Sequence, residues 1–91
     1  MNLFKSVDKK FEEIGFVKIR EDKYGVEYER YDRKFNYIQK LDILCKSNGE
    51  RIVQSYDFTN TTSSCSPVVG LTAYEIKLVL KKIKKLKAKN K

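Results

Sequence analysis

The spacing of apolar positions changes twice along the chain. In NLFKSVDKKFEEI, residues 2–14, Leu3, Val7, Phe11 and Ile14 recur at helical spacing, and Gly15 follows as a stop signal. This predicts a helix over 2–14. From Phe16 the period becomes two, which predicts strands over 16–21, 24–31, 35–45 and 51–58. Asn48-Gly49 between the last two predicts a two-residue type I′ hairpin turn. Residues 59–71, TNTTSSCSPVVGL, read as a polar loop carrying the only proline. Thr72-Ala73-Tyr74-Glu75 then has the spacing of a capping box and opens a helix over 72–87. Its apolar stripe is Ile76, Val79, Leu80, Ile83 and Leu86.

Turn positions convert the strands into a register. With Asp22-Lys23, Arg33-Lys34 and Asn48-Gly49 as turn centres, Ile19, Val26, Leu41 and Tyr56 form one row across four strands. Lys18, Glu27, Lys40 and Asp57 form the next. Neighbouring positions point to opposite faces. One face is therefore apolar, made of Val17, Ile19, Tyr24, Val26, Tyr28, Phe35, Tyr37, Leu41, Ile43, Cys45, Ile52, Tyr56 and Phe58. The other carries a cross-strand charge ladder, and a slip by one residue would destroy both rows. Both helices have an apolar stripe to bury, and the apolar face is the place for them. The expected fold is α+β: a two-layer α-β-β-β-β-α arrangement with a four-stranded antiparallel meander in the order 1-2-3-4 and the N- and C-terminal helices on one face.

The 91 residues make one domain, 1–91, with a small core. No apolar run reaches the roughly 18 residues of a membrane span. The start, MNLFKSVDKK, has no signal-peptide core. A cytoplasmic protein without a membrane partner is expected. Two cysteines, Cys45 and Cys65, and no histidine leave no zinc constellation and remove the usual general base for a nucleophile. No metal, cofactor or enzymatic activity is expected. Cys45 reads as a buried apolar thiol.

Net charge is +8, but residues 1–71 hold only +1 of it. Residues 72–91 hold eight lysines against Glu75 alone. Charge-driven binding therefore belongs to the C-terminal helix, through Lys77, Lys81, Lys82, Lys84, Lys85, Lys87 and Lys89, with Lys91 beyond them. Such a face can neutralise phosphates nonspecifically or meet an acidic protein. It lacks the arginines and aromatics that read bases. It also serves as a solubility face whose lysines favour the C-terminal end of the helix dipole. The stretch VEYERYDRKFNYIQKLDIL looks basic and aromatic, yet the ladder balances its charges and its aromatics fall mostly on the covered face. An RNA-binding sheet would do the opposite. The register leaves Phe16, Tyr31, Ile38, Leu44 and Val53 outward, with Leu44 facing Val53. Ile38, Leu44 and Val53 form a candidate apolar contact patch, compatible with a monomer or a weak homodimer.

YGVEYERYDRKFNYIQKLDIL followed by VVGLTAYEIKLVLKKIKKL resembles short uncharacterised proteins carried in phage and prophage genomes of low-GC Gram-positive bacteria. That resemblance implies a small accessory protein that binds a bacterial host protein. Such proteins often disable a defence or nucleic-acid enzyme, as anti-CRISPR proteins do. The alternative is a nonspecific binder of DNA or RNA acting through the lysine-rich helix.

Overall fold

The computed structural model describes residues 6–59 and 67–89, with side chains to residue 87. Six elements follow one another: α1 (Val7–Glu13), β1 (Val17–Asp22), β2 (Gly25–Asp32), β3 (Tyr37–Cys45), β4 (Arg51–Asp57) and α2 (Ala73–Lys89). The strands form one antiparallel sheet in the order β1-β2-β3-β4, as expected. Ser6 caps α1 by accepting the Lys9 N–H. Residues 2–5 of the predicted 2–14 helix lie outside the described residues. At α2 the capping box is present in both directions. The Glu75 N–H donates to Thr72 Oγ1 at 3.1 Å, and the Thr72 N–H donates to Glu75 Oε1 at 2.9 Å.

The core lies between the sheet and the two helices. Phe11, Phe16 and Tyr28 are fully buried and pack as a cluster, with Phe11 stacked on Tyr28 at 4.3 Å and edge-on to Phe16 at 5.8 Å. Val26, Leu41, Ile43, Leu78, Val79 and Leu86 complete it. Phe16, expected outward, is thus a core residue; it precedes β1 and turns in beneath α1.

Three features of the register differ from expectation. At β2–β3 the loop has four residues, 33–36, not two, so Val26 pairs with Ile43 and Tyr28 with Leu41. The shift is even, and both strands keep the faces assigned to them. At β3–β4 the loop is Ser47-Asn48-Gly49. The Gly49 N–H closes on Lys46 O at 3.0 Å, Gly49 takes φ +94°, and the Lys46 N–H closes on Glu50 O. This three-residue loop slips β4 by one residue. Leu41 pairs with Ser55, and Leu44 with Ile52. Ile52, Tyr56 and Phe58 therefore lie on the open face, and Val53, opposite Ile43, lies on the helix side.

At β1–β2 a bulge at Ile19 separates the Lys18–Tyr28 and Arg20–Glu27 pairs. It turns Val17 and Ile19 away from the helices and puts both Lys18 and Glu21 toward them. Tyr24 and Phe35, expected on the covered face, are exposed in turns. The polar loop is partly extended: the Asp57 N–H donates to Pro67 O and the Val69 N–H to Ser55 O, so residues 67–69 cover one end of the β4 edge. Cys45 is a half-buried free thiol packed against the core, and Cys65 lies outside the described residues.

Candidate binding surfaces

The rotation of α2 decides which of its side chains reach a partner. Its inward residues are Glu75, Leu78, Val79, Lys82 and Leu86, with Ile83 half-buried. The predicted stripe included Ile76 and Leu80, which are 46 % and 58 % exposed, and omitted Leu78. Two ionic anchors set this rotation. Glu75 Oε2 lies 2.8 Å from Arg30 Nη1. The Arg30 guanidinium also donates to Gln39 Oε1 and to the Ile14 carbonyl, and lies over the Phe16 ring at 4.2 Å. Gln39 in turn donates to Ser55 Oγ. One arginine thus joins α1, β2, β3 and α2.

The second anchor is Lys82, whose ammonium lies 3.1 Å from Asp8 and 2.8 Å from Glu21. Lys18 pairs with the same two carboxylates at 2.9 and 3.0 Å, and the Tyr28 hydroxyl donates to Asp8 at 2.6 Å. Burial works to raise the Asp8 carboxyl, but hydrogen bonds from Tyr28, Lys18 and Lys82 outweigh it and hold Asp8 at about 2. Burial is likewise outweighed at Glu21, which Lys82 and Lys18 hold at about 2. Burial and the Asp8 bond push the Tyr28 hydroxyl up. Lys82, expected among the binding lysines, is therefore a structural cation and is withdrawn from the surface.

The lysines left outside on α2 are Lys77, Lys81, Lys84, Lys85 and Lys87; the side chain of Lys89 lies outside the described residues. Lys81 and Lys85 border α1. The charge of Lys10, some burial and the charge of Lys77 lower the Lys81 ammonium. At 100° per residue, Ile76, Leu80, Ile83 and Lys87 share the opposite flank. Tyr74, Ile76 and Leu80 are exposed large apolar residues within the lysine-rich surface. Sequence periodicity assigned two of them to the core because apolar positions nearly encircle this helix.

Of the expected charge row Lys18, Glu27, Lys40 and Asp57, only Glu27 and Lys40 lie on the open sheet face. The β1 bulge and the one-residue slip of β4 put Lys18 and Asp57 on the helix side, and Arg20, Asp22 and Glu29 complete the ladder instead. Lys40 is 3.0 Å from Glu27 and 3.3 Å from Glu29, and Arg20 pairs with Glu27 and Asp22. Asp42 is buried on this face. Its Oδ2 accepts from the Tyr56 hydroxyl at 2.9 Å, and its Oδ1 has no hydrogen-bond partner among the described residues. Burial pushes the Asp42 carboxyl up, the Tyr56 bond opposes this and the Glu27 charge adds to it. Burial and Asp42 raise Tyr56 to about 12.

Ile38, Leu44 and Val53 do not form one patch. Ile38 and Leu44 lie near opposite ends of β3 on the open face, paired with Tyr31 and Ile52, whereas Val53 is on the helix side. Among the described residues no group of three or more acidic, cysteine or histidine residues could hold a metal ion. No described helix is long and apolar enough to cross a membrane. Comparison with protein-family models, curated proteins and solved structures finds no match.

Proposed function

We propose that this chain is a non-enzymatic binding module, a small accessory protein of the phage and prophage type, that docks on an acidic surface of a bacterial host protein in the cytoplasm. The observation that carries this reading is the outer surface of α2, where exposed Ile76 and Leu80 lie beside Lys77, Lys84 and Lys87, with exposed Tyr74 on the flank of Lys81 and Lys85. Apolar anchors inside a charged rim are what a protein partner buries, while the lysines steer an acidic surface toward them. Covering the working surface of a defence or nucleic-acid enzyme would inhibit it in the anti-CRISPR manner.

A second reading rests on a different part of the same layer. Lys10, Lys77 and Lys81 crowd together across α1 and α2, and a cluster of like charge favours a polyanion such as DNA or RNA. Fluorescence anisotropy with mixed DNA and RNA oligonucleotides separates the two. A nucleic-acid binder loses roughly a decade or more of affinity between about 50 and about 200 mM salt and fails when Lys81, Lys84 and Lys85 become Gln. The protein-docking reading expects little oligonucleotide binding even at the lower salt.

A further inference from the structure

The molecule is a slab of 39 × 38 × 21 Å whose described helices both lie on one broad face. On the other, Val17, Ile19, Tyr31 and Ile38 line a depression of about 570 Å³ rimmed by Glu29 and Arg33. Val17, Ile19 and Tyr31 are 59 %, 50 % and 55 % exposed. The β1 bulge is what aims Val17 and Ile19 outward. Four large apolar side chains together on a sheet face that no described element covers exceed the scattered apolar surface of an ordinary monomer.

We infer that a second copy of this chain covers that face, the two sheets packing across a two-fold axis. Charge selects both the occupant and the face. Each copy carries +8, concentrated in the helix layer. Two copies meeting through their helices would bring those lysines together. Stacked sheet to sheet about 10 Å apart, they hold the lysine layers on the two outer sides. With slabs 21 Å thick, that separation exceeds the roughly 8 Å screening length at physiological salt.

The sheet face itself is suited to its own copy. Its ladder holds four carboxylates, Asp22, Glu27, Glu29 and Asp42, against Arg20 and Lys40. Arg33, exposed at the rim, has no ion-pair partner among the described residues. A two-fold axis makes every contact twice, so Arg33 of each copy meets the excess acid around Glu29 of the other. A standard interface takes about 800 Å² from each partner, roughly half of a face bounded by 39 × 38 Å. The dimer would present two α2 surfaces in opposite directions, so each would remain available to the partner proposed above.

Sedimentation equilibrium tests this without any other molecule. The average mass of the wild type should rise from 10.7 kDa toward twice that value between about 1 and about 200 µM protein. Ile19→Glu and Arg33→Glu should each weaken the dimer about tenfold or more, with circular dichroism reporting whether each is folded. Arg33 is exposed in a turn, so its variant keeps the test decisive if Ile19→Glu fails to fold. Leu80→Glu on the opposite layer should dimerise like the wild type. A wild type that stays at 10.7 kDa throughout overturns the inference. So does a folded Arg33→Glu that associates normally, or a Leu80→Glu that does not associate.

Discussion

Lys82 separates two roles that neighbouring lysines on one helix can take. Its ammonium is buried between Asp8 and Glu21, while Lys81 and Lys85 stand on the surface beside it. Removing one partner from a buried ionic cluster leaves uncompensated charge, a loss of about 3 kcal/mol or more. Urea denaturation of Lys82→Met should show a loss of that size, whereas Lys81→Gln with Lys85→Gln should leave the midpoint within about 0.5 kcal/mol of the wild type. Gly25 is constrained by different physics. Its φ is +142°, and a Cβ there would stand 2.1 Å from the Ile43 carbonyl oxygen. The contact is with backbone in the central strand pair and has no soft route to relief. Gly25→Ala should cost more than about 3 kcal/mol and show in the same titration. A midpoint near the wild-type value would mean that β2 and β3 do not approach each other as described.

At the scale of elements, the Asp8–Glu21–Lys18–Lys82 cluster joins α1, β1 and α2, and it makes their packing sensitive to acid. Both carboxyls lie below their ordinary values of 3.8 and 4.5, at about 2. Depressed carboxylates contribute stability that is complete above the unfolded values and is lost as pH falls through the folded ones. The melting temperature should therefore hold from pH 7 to about 5 and fall steeply between about 4.5 and 2, a loss of a few kcal/mol in all. Thermal melts across that range check it, and a flat profile would contradict the cluster. The same cluster explains what the sequence concealed. Lys18 and Glu21 are three residues apart, so a regular strand would send them to opposite faces. The bulge at Ile19 brings both to the ion cluster and sends Val17 and Ile19 outward. Alternation cannot reveal this, because the energy that favours it comes from α1 and α2. The capping box at Thr72 was legible because its two bonds lie within four residues. The faces of β2 and β3 were legible because their loop differs from the expected one by an even number of residues. Asn48-Gly49 correctly marked a hairpin, but the third loop residue reversed the faces of β4. The rotation of α2 was hidden for a similar reason: Glu75 and Lys82 point inward to Arg30 and Asp8, partners that spacing does not show.

Over the whole molecule, charge and apolar surface are divided between two layers. The helix layer carries the basic surface with exposed Tyr74, Ile76 and Leu80, and the sheet layer carries an acid-rich charge ladder beside an apolar depression. The proposed docking surface and the proposed self-contact therefore do not compete for the same residues. The most direct measurement compares the wild type with an Ile76→Glu, Leu80→Glu variant as immobilised baits in nuclease-treated lysate of a low-GC Gram-positive bacterium, with quantitative mass spectrometry of what each retains. Both substitutions are at exposed positions, so the variant should melt within a few degrees of the wild type. A defined acidic protein retained by the wild type and lost from the variant is the predicted result. Identical retention by the two baits would contradict the account, as would a protein that the wild type retains from untreated lysate and not from nuclease-treated lysate.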